Sequence, residues 1–318
     1  MIHLLFTGGT ISMQRDSSAG GNVPAHGGEA LVAFAEGLDR ISPYSIENWA
    51  RVPACHLGPD QLWQLRQRVR EIVAAGGVRG VVVTHGTDIL EESAYLLART
   101  LSSQIPVAMT GAMRTSSDQG WDGPANLLSA AAVAADPESA GRGVMVVFNG
   151  KVFAGQTAVK VHATDLDAFD APHGAAIARV VDGVVSYQSA RARQSPGAGP
   201  ATLENFSARI ALMPVVVGDT GELLDLARPT HDGLVLEAFG SGNVPPGAVP
   251  AIRRWIDEGK PVVLASRCPL GQVTPVYAFE GGGSRLITMG AIPAGPRTPS
   301  QARMELMISV SAGRAYGS

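Results

Sequence analysis

The sequence has few cysteines, few aromatic residues and no long apolar run. Its two cysteines, Cys55 and Cys268, lie far apart and lack metal-ligand spacing, which excludes a disulfide framework and favours free thiols in a reducing compartment. No segment approaches the roughly 18 apolar residues of a membrane span. The apolar start of the chain lacks the basic region and the length of a signal peptide. We therefore expect a cytoplasmic protein that has no membrane partner.

Charge is also scarce, since charged residues make up 17% of the chain and the net charge is −3. Such a chain has no broad electrostatic attraction for nucleic acid or for an anionic membrane. A small molecule is therefore the expected partner. With 318 residues, of which 45% are hydrophobic, the chain is long enough for about two globular domains.

Short apolar strands alternate with helical patterns over residues 1–188, which is typical of a parallel sheet with helices on both faces. We predict strands at 2–6, 80–84, 105–109, 143–148 and 178–180. Apolar residues at helical spacing predict helices at 60–75, 90–101 and 123–135. Residues 1–188 are therefore expected to form the larger, N-terminal domain, and its ligand is expected in the loops that follow the strands.

The segment 189–207 has the Ser, Pro and Gly content of a linker. Beyond it, residues 208–318 are expected to form a smaller C-terminal α/β domain. Its predicted elements are strands near 209–216, 233–238 and 262–265 and a helix at 248–258. The predicted fold class is therefore α/β, with a mainly parallel, helix-flanked sheet in the larger domain.

Two loops that contain threonine follow predicted strands. The first, TGGT at 7–10, lacks the lysine and the spacing of a phosphate-binding loop, so its glycines either merely turn the chain or serve another kind of site. The second, THGTD at 84–88, comes directly before a predicted helix. Asp88 with Glu91 three residues later is typical of a capping box. A helix N-terminus also presents N–H groups to a carboxylate or an oxyanion, so a structural and a functional role are compatible.

Lysine is rare, because only Lys151, Lys160 and Lys260 occur among 25 basic residues. Arginine keeps its proton in proteins, whereas a partly buried lysine can lose it and act as a base. A lysine in this background can therefore be chemically required. Lys160 lies among small and polar residues and fits either a chemical role or a place on the surface. Lys260 has the position of an ordinary cation at a helix C-terminus.

Six motifs, in the same order, resemble those of the bacterial L-asparaginase family. They are TGGTIS (7–12), THGTDILEESAYLL (84–97), PVAMTGAMR (106–114), DGPANLLSA (122–130), Lys160 followed by TDLDAF, and GSGNVP (240–245). The resemblance covers nearly the whole chain. It implies a two-domain α/β enzyme that hydrolyses a side-chain amide through a threonine nucleophile, with no metal and no cofactor.

The resemblance also implies roles for individual residues. Thr10 matches the nucleophile, while Thr87, Asp88 and Lys160 match a second catalytic group in which the lysine assists deprotonation of Thr87 or of a water. Asp88 also matches the residue that pairs with the α-amino group of the substrate. Ala112 matches the position whose backbone carbonyl receives the leaving nitrogen. Further expected substrate contacts are Gly9, Gly86 and Asn243.

Several positions depart from the family pattern. Asn22 stands where members usually carry a tyrosine in the loop after TGGT. Cys55 and His56 stand where relatives supply a serine for the α-carboxylate of the substrate, followed by Gln or Asp. Cys55 would be a weaker donor or a small buried hydrophobe, and His56 would add positive charge or simply be exposed. In the family, a neighbouring subunit contributes a Glu or a Tyr to the site, and the candidates in this chain are Tyr277 and Glu280. We prefer Tyr277, although it could also be an aromatic residue of a strand.

Together, these motifs predict an amidohydrolase that converts L-asparagine to L-aspartate and ammonia. The resemblance further implies a homodimer or homotetramer with sites at the subunit interfaces. The departures leave open an amidase for another small amide, or a non-catalytic paralogue that binds an amino acid. The asparaginase-like subunit of the tRNA-dependent amidotransferase ranks below these alternatives, because no basic patch in the sequence suggests tRNA binding.

Overall fold

The apolar segments near the start of the chain lie side by side in one eight-stranded sheet. The chain divides into two compact units, Met1–Ala201 and Thr202–Ser318, and the computed structural model describes residues 1–188 and 203–317. Most of the linker predicted at 189–207 therefore lies outside the described residues.

Strands and helices alternate along the first unit. Its strands are β1 (Ile2–Gly8), β2 (Met13–Asp16), β3 (Gly21–Pro24), β4 (Tyr44–Val52), β5 (Gly80–Thr84), β6 (Val107–Thr110), β7 (Val144–Phe148), β8 (Lys151–Ala154), β9 (Val159–Lys160), β10 (Phe169–Asp170), β11 (Ala178–Val181) and β12 (Val184–Tyr187). Its helices are α1 (Gly28–Phe34), α2 (Leu38–Ile41), α3 (Pro59–Ala75), α4 (Leu90–Thr100) and α5 (Gly123–Ala135).

The order of strands in the large sheet is β12-β11-β8-β7-β6-β5-β1-β4. Strands β4, β1, β5, β6 and β7 are parallel to one another. From β1 the chain passes first to β4 on one side and later to β5 on the other, so the strand order reverses between β1 and β5. Ligands of open α/β sheets bind beyond the carboxyl ends of the strands at such a reversal.

Helices cover both faces of this sheet. Successive side chains of a strand point to opposite faces, and in β1 Leu4 joins a core with α1, α2 and α5, whereas Leu5 joins a second core with α3 and α4. Both leucines are fully buried. The predicted fold class, with a mainly parallel sheet flanked by helices, is confirmed.

One edge of the sheet differs from the prediction. The strand predicted at 178–180 is β11, which pairs antiparallel with β8 and β12. A two-residue turn at 149–150 joins β7 to β8, and another at 182–183 joins β11 to β12, so that each pair forms an antiparallel hairpin. All four turn residues have positive φ. Their sequences, Asn-Gly and Asp-Gly, are strong hairpin signals that the strand prediction did not use. The strand prediction also misses β4, because most of its side chains are only partly buried and the strand is therefore not an apolar run.

The second unit contains a smaller sheet of parallel strands in the order β13-β14-β15-β16. Its elements are β13 (Ile210–Pro214), α6 (Glu222–Ala227), β14 (Gly233–Ala238), α7 (Val249–Asp257), β15 (Val262–Ser266), α8 (Gly283–Met289), β16 (Ile292–Pro293) and α9 (Pro299–Ser311). Trp255 of α7 is fully buried, and its indole N–H donates to the carbonyl of Leu224 at 3.0 Å. Within the described residues, no helix combines the length and the apolar content needed to cross a membrane.

Strand β5 begins at Gly80, where the backbone passes close to the last turn of α5. A Cβ at this position would overlap the backbone carbonyl of Ala134. Because a backbone carbonyl cannot rotate aside, Gly80→Ala is expected to lower the free energy of unfolding by about 2 kcal/mol. Urea unfolding followed by circular dichroism measures the change. The matched control is Gly174→Ala, whose Cβ would meet only ordinary contacts at 3.6–3.7 Å; an equal loss in both variants would contradict this packing argument.

Candidate active site

Glycines bring the loops after β1 and β5 into direct backbone contact. A Cβ at Gly9 would overlap the backbone of Gly86, and Gly9 also has a φ of 84°, which favours glycine. A Cβ at Gly86 would in turn overlap Ala54 in the loop after β4. The two threonine loops predicted to share a site therefore meet at the strand-order reversal.

The loop after β6 completes this convergence. A Cβ at Gly111 would overlap the backbone carbonyl of His85 and lie 3.3 Å from the methyl carbon of Thr87. Ala112, the next residue, is fully buried. The contact at Gly111 therefore brings the loop of Ala112 against the loop of Thr87, and the predicted role of the Ala112 carbonyl stays a prediction.

Buried polar side chains hold the strand ends beneath the loops. The hydroxyl of Thr7 donates to the carbonyl of Thr84 at 2.9 Å. His85 is fully buried between the carbonyl of Gly86, 2.8 Å from Nδ1, and the hydroxyl of Ser93, 3.1 Å from Nε2. Burial lowers the pKa of His85, so the ring is favoured in its neutral form, which suits a side chain that fixes the loop.

Thr10 opens a short 3₁₀ turn, Thr10–Ser12, immediately after Gly9. The amide N–H and the hydroxyl of Ser12 both donate to the carbonyl of Gly9, at 3.0 and 2.9 Å. Ile11 is buried, whereas Thr10 is partly exposed. The turn is thus anchored by its second and third residues and presents the first at the carboxyl end of β1.

Thr87, Asp88 and Lys160 form one hydrogen-bonded group. The Nζ of Lys160 donates to Thr87 Oγ1 at 2.9 Å and to Asp88 Oδ1 at 3.0 Å. Thr87 is buried, the Lys160 side chain is 17% exposed and the Asp88 side chain is 66% exposed. The ammonium group therefore joins an enclosed hydroxyl to a carboxylate that reaches solvent, and Lys160 is not simply a surface lysine.

Glu91 holds the strand that carries Lys160. Its Oε2 accepts the backbone N–H of Lys160 at 2.6 Å. Burial raises the pKa of Glu91 to about 7, and the nearby Glu92 adds to this effect, whereas the bond from Lys160 opposes it. The predicted capping box is wrong, because a 3₁₀ turn at Thr87–Ile89 precedes α4 and no side chain caps that helix.

Two residues at the start of α5 position the Ala112 loop. The carboxylate of Asp122 accepts the backbone N–H of Met113 at 3.0 Å. The amide of Asn126 donates to the carbonyl of Gly111 and to Asp122, both at 3.0 Å. Both residues lie in the DGPANLLSA motif, although no role was predicted for either of them. Their spacing of four residues at a helix start is the signal that could have revealed the pair.

The segment after TGGT is a β-hairpin, β2–β3, on which Asn22 is exposed and pairs with Arg15 across the strands. The amide N–H and the hydroxyl of Ser116 donate to the carbonyl of Met13, at 3.2 and 3.1 Å. The backbone N–H of Arg15 donates to the hydroxyl of Ser117 at 3.0 Å. The hairpin is therefore tied along one strand to the loop that follows β6.

Cys55 and His56 lie in a 3₁₀ turn, Ala54–His56, and both are exposed. The alternative in which Cys55 is a small buried hydrophobe is therefore wrong. Ala54, the first residue of this turn, is buried against Gly86. The turn thus begins at the convergence of the loops and continues to the surface with Cys55 and His56.

Three residues named by the sequence analysis belong to the second unit. Tyr277 is 44% exposed, lies outside any strand and has its ring centroid 5.5 Å from that of Phe279, so its description as a strand aromatic is wrong. The side-chain oxygen of Asn243 accepts the backbone N–H of Gly283 at 3.1 Å. Glu280 is exposed. The roles of Tyr277 and Asn243 stay predictions.

The first unit thus carries a partly exposed threonine, Thr10, in a loop that touches the loop of a buried threonine, Thr87, which is bonded to the ammonium group of Lys160. A threonine hydroxyl is a weak nucleophile that needs an adjacent proton acceptor, and donors where negative charge develops. The arrangement is suited to acyl transfer at a carbonyl group. Across residues 1–188 and 203–317, no three His, Cys, Asp or Glu side chains are grouped as metal ligands.

Comparisons with known proteins cover both units. The family model "Asparaginase, N-terminal" matches residues 1–193, and "Glutaminase/Asparaginase C-terminal domain" matches residues 209–316. A protein described as "Probable L-asparaginase" from Deinococcus radiodurans is 39% identical to this chain, over 98% of this chain and 92% of that protein. An L-asparaginase from Bacillus licheniformis is 30% identical, over 96% of this chain and 94% of that protein.

A solved structure has the same fold. The crystal structure described as a probable cytoplasmic L-asparaginase from Campylobacter jejuni has a TM-score of 0.84 and 27% identity, and covers 97% of this chain and 94% of that one. These matches confirm the family that the motifs indicated. The chain belongs to the L-asparaginase family and is a hydrolase that acts on amide C–N bonds.

Proposed function

We propose that this enzyme hydrolyses the side-chain amide of L-asparagine to L-aspartate and ammonia, with Thr10 as the nucleophile. The observation that carries the proposal is that the Nζ of Lys160 bonds to both Thr87 and Asp88. The loop that contains Thr87 and Asp88 packs through Gly86 against Gly9, the residue before Thr10. Family membership supports the amide chemistry. The choice of L-asparagine follows the names of the relatives.

In the first step, the Thr10 oxygen attacks the amide carbon and the hydroxyl proton leaves toward a base. The tetrahedral intermediate collapses when the amide nitrogen receives a proton and departs as ammonia, which leaves an ester on Thr10. A water then attacks this ester and releases the acid together with the free hydroxyl. Backbone N–H groups at the loop convergence would stabilise the oxyanion, and the carbonyl of Ala112 would accept a hydrogen bond from the leaving nitrogen.

Thr87 and Lys160 form the second catalytic group of the proposal. Deprotonation of Thr87, or of a water beside it, is less costly next to an ammonium group 2.9 Å away. Asp88 keeps the lysine in place through its contact at 3.0 Å. Its exposed carboxylate is also free to approach the α-amino group of the substrate, and we assign Gly9 and Gly86 as further backbone contacts of the substrate.

Cys55 and His56 support a second candidate, an amidase for another small amide. The turn that carries them begins at the loop convergence, but a thiol is a weaker hydrogen-bond donor than the serine of relatives. A substrate without an α-carboxylate would lose less from this change than asparagine does. The loss of a polar contact with the substrate changes kcat/KM by orders of magnitude. Comparing kcat/KM for amides with and without an α-carboxylate therefore separates the two candidates.

We further propose a cytoplasmic homodimer or homotetramer in which Tyr277 of one subunit completes the site of another. The name of the Campylobacter jejuni relative supports the location. The exposure of the Tyr277 ring leaves it accessible to a neighbouring chain. Asn243 is the other residue of the second unit to which we assign a substrate contact.

Thr10→Ala and Thr87→Ala are each expected to lower kcat for ammonia release from L-asparagine by about 10³-fold, because each removes a hydroxyl that acts in bond making or proton transfer. A coupled ammonia assay on purified protein measures the rate. The control is Thr230→Ala, which removes an exposed hydroxyl of the second unit.

Full turnover in either variant would overturn the assignment of that threonine. A folded wild type that releases ammonia from another small amide but not from asparagine would support the second candidate. A wild type that binds asparagine or aspartate without releasing ammonia would identify a non-catalytic paralogue.

Glu91→Gln is expected to change how stability depends on pH. The folded protein holds the Glu91 proton up to a pKa of about 7, whereas the unfolded chain releases it near the ordinary value of 4.5. Glu91 therefore contributes stability at low pH that is lost as the pH rises from about 4.5 to 7. Glutamine keeps the acceptor for Lys160 but does not titrate.

As the pH rises from about 4.5 to 7, the free energy of unfolding of Glu91→Gln should increase by about 2 kcal/mol relative to that of the wild type. Urea unfolding at several pH values between pH 5 and 8 measures the difference. Glu222→Gln, at an exposed glutamate, provides the control. A difference between wild type and Glu91→Gln that stays constant with pH would contradict the shifted pKa.

Asn22→Tyr is expected to raise kcat by at least about tenfold, because a phenol restores a proton-transfer group that an amide cannot replace. Asn22 is exposed on its hairpin, so folding should tolerate the larger ring. The matched variant Asn22→Phe supplies the ring without the hydroxyl. If phenylalanine raised kcat as much as tyrosine, the proton-transfer explanation would be wrong.

A further inference from the structure

A cavity of about 180 Å³ lies in the first unit, between α3 and the segment that follows α4. Arg66, Arg70 and Val73 line it from α3, at positions that share one helix face. Thr100, Ser102 and Ser103 line the opposite side. A water needs roughly 10–15 Å³ of such space, so the cavity is large enough for a polyatomic ion with some of its water.

Arg66 is a buried cation that has no carboxylate partner within the described residues. The residue is 5% exposed. Its three hydrogen bonds go to neutral oxygens: the Thr100 carbonyl at 2.6 Å, the Thr100 hydroxyl at 3.3 Å and the Gln67 amide at 2.6 Å. Among the described residues, no Asp or Glu oxygen lies within 4.0 Å of the guanidinium group. A guanidinium has five N–H donors, so two remain for another acceptor.

The neighbouring charge makes this arrangement more costly. Arg70 lies one helix turn beyond Arg66 and is exposed, and like charges at this spacing repel. Burial lowers the pKa of Arg66 to about 10, and Arg70 adds to the effect. Burying an unpaired charge is unfavourable. An anion bound between the two guanidinium groups would offset the cost of burying Arg66 and reduce the repulsion between Arg66 and Arg70.

The position of the Arg66 guanidinium is fixed rather than adaptable. It lies over the Trp63 ring, with 4.7 Å from its central carbon to the ring centroid, and it is bonded to the end of α4. A planar fork held in one orientation matches the oxygens of a phosphoryl group in a bidentate way. Ser102 and Ser103 add polar groups on the opposite wall.

We propose that this cavity binds a phosphoryl oxyanion, either inorganic phosphate or the phosphate group of a small metabolite, through Arg66 and Arg70. The site is separate from the Thr10 and Thr87 loops, since none of the lining residues belongs to them. It does not depend on the proposed hydrolysis of asparagine.

Isothermal titration of the full-length protein with sodium phosphate, in a fixed low-chloride buffer, tests the proposal. We expect saturable binding of one phosphate per chain, and at least a tenfold weaker Kd in Arg70→Met. The control is Arg40→Met, which removes an exposed arginine outside the cavity. Since Arg70 is exposed, its variant is expected to fold, which circular dichroism checks. Arg66→Lys keeps the charge but loses the fork, and should also weaken binding.

The outcomes separate the possible roles of the cavity. No saturable phosphate binding, or binding unchanged in Arg70→Met, would overturn the proposal and leave Arg66 as a residue that only caps the carboxyl end of α4. A parallel titration with glycerol phosphate distinguishes the sources. Tighter binding of the ester supports an organic phosphate, whereas preference for the inorganic ion supports free phosphate.

Discussion

The backbone contact between Gly9 and Gly86 is the constraint on which the candidate site depends. The parallel pairing of β1 with β5 brings the two strand ends level, and the Thr7 hydroxyl locks that register by bonding to the Thr84 carbonyl. The loops beyond can then meet only if neither residue has a side chain. Because Thr10 and Thr87 each directly follow one of these glycines, the distance between their loops is set by backbone against backbone, which is less compliant than contact between side chains.

Lys160 depends on a different kind of support. It lies on β9, a strand of two residues, which alone would hold a long side chain poorly. Glu91 compensates by accepting the lysine's backbone N–H from the first turn of α4, the helix that also follows Thr87 and Asp88. One short segment therefore positions the lysine at both its backbone and its ammonium group. With a pKa of about 7, Glu91 is only partly charged near neutrality, so Asp88 supplies most of the negative charge beside the lysine.

Much of this could be predicted because the signals are local. Apolar runs that end in glycine and threonine marked β1 and β5, and parallel strands necessarily bring their carboxyl ends to one edge. The Asn-Gly and Asp-Gly turns were equally local signals, but they were not used, so the antiparallel edge was not predicted. The contact of Glu91 with Lys160 could not be predicted in this way, because 69 residues separate the partners and the helical pattern suggested a capping box. Nor did the pattern show that Asp122 holds the Ala112 loop, since that contact depends on where α5 begins.

The residues that depart from the family pattern differ in exposure from the glycines at which the loops of the candidate site meet. Asn22, Cys55 and His56 are exposed in the first unit, and exposed substitutions generally change stability by less than about 0.5 kcal/mol. Gly9, Gly86 and Gly111 have no such freedom, since any side chain there meets backbone or a neighbouring loop. Exposed residues such as Asn22, Cys55 and His56 can therefore change without disturbing the loops that carry the threonines. Under the proposed function, amide hydrolysis would depend on loops that the packing of the fold fixes, whereas the choice of amide would depend on exposed residues that the fold leaves free to vary.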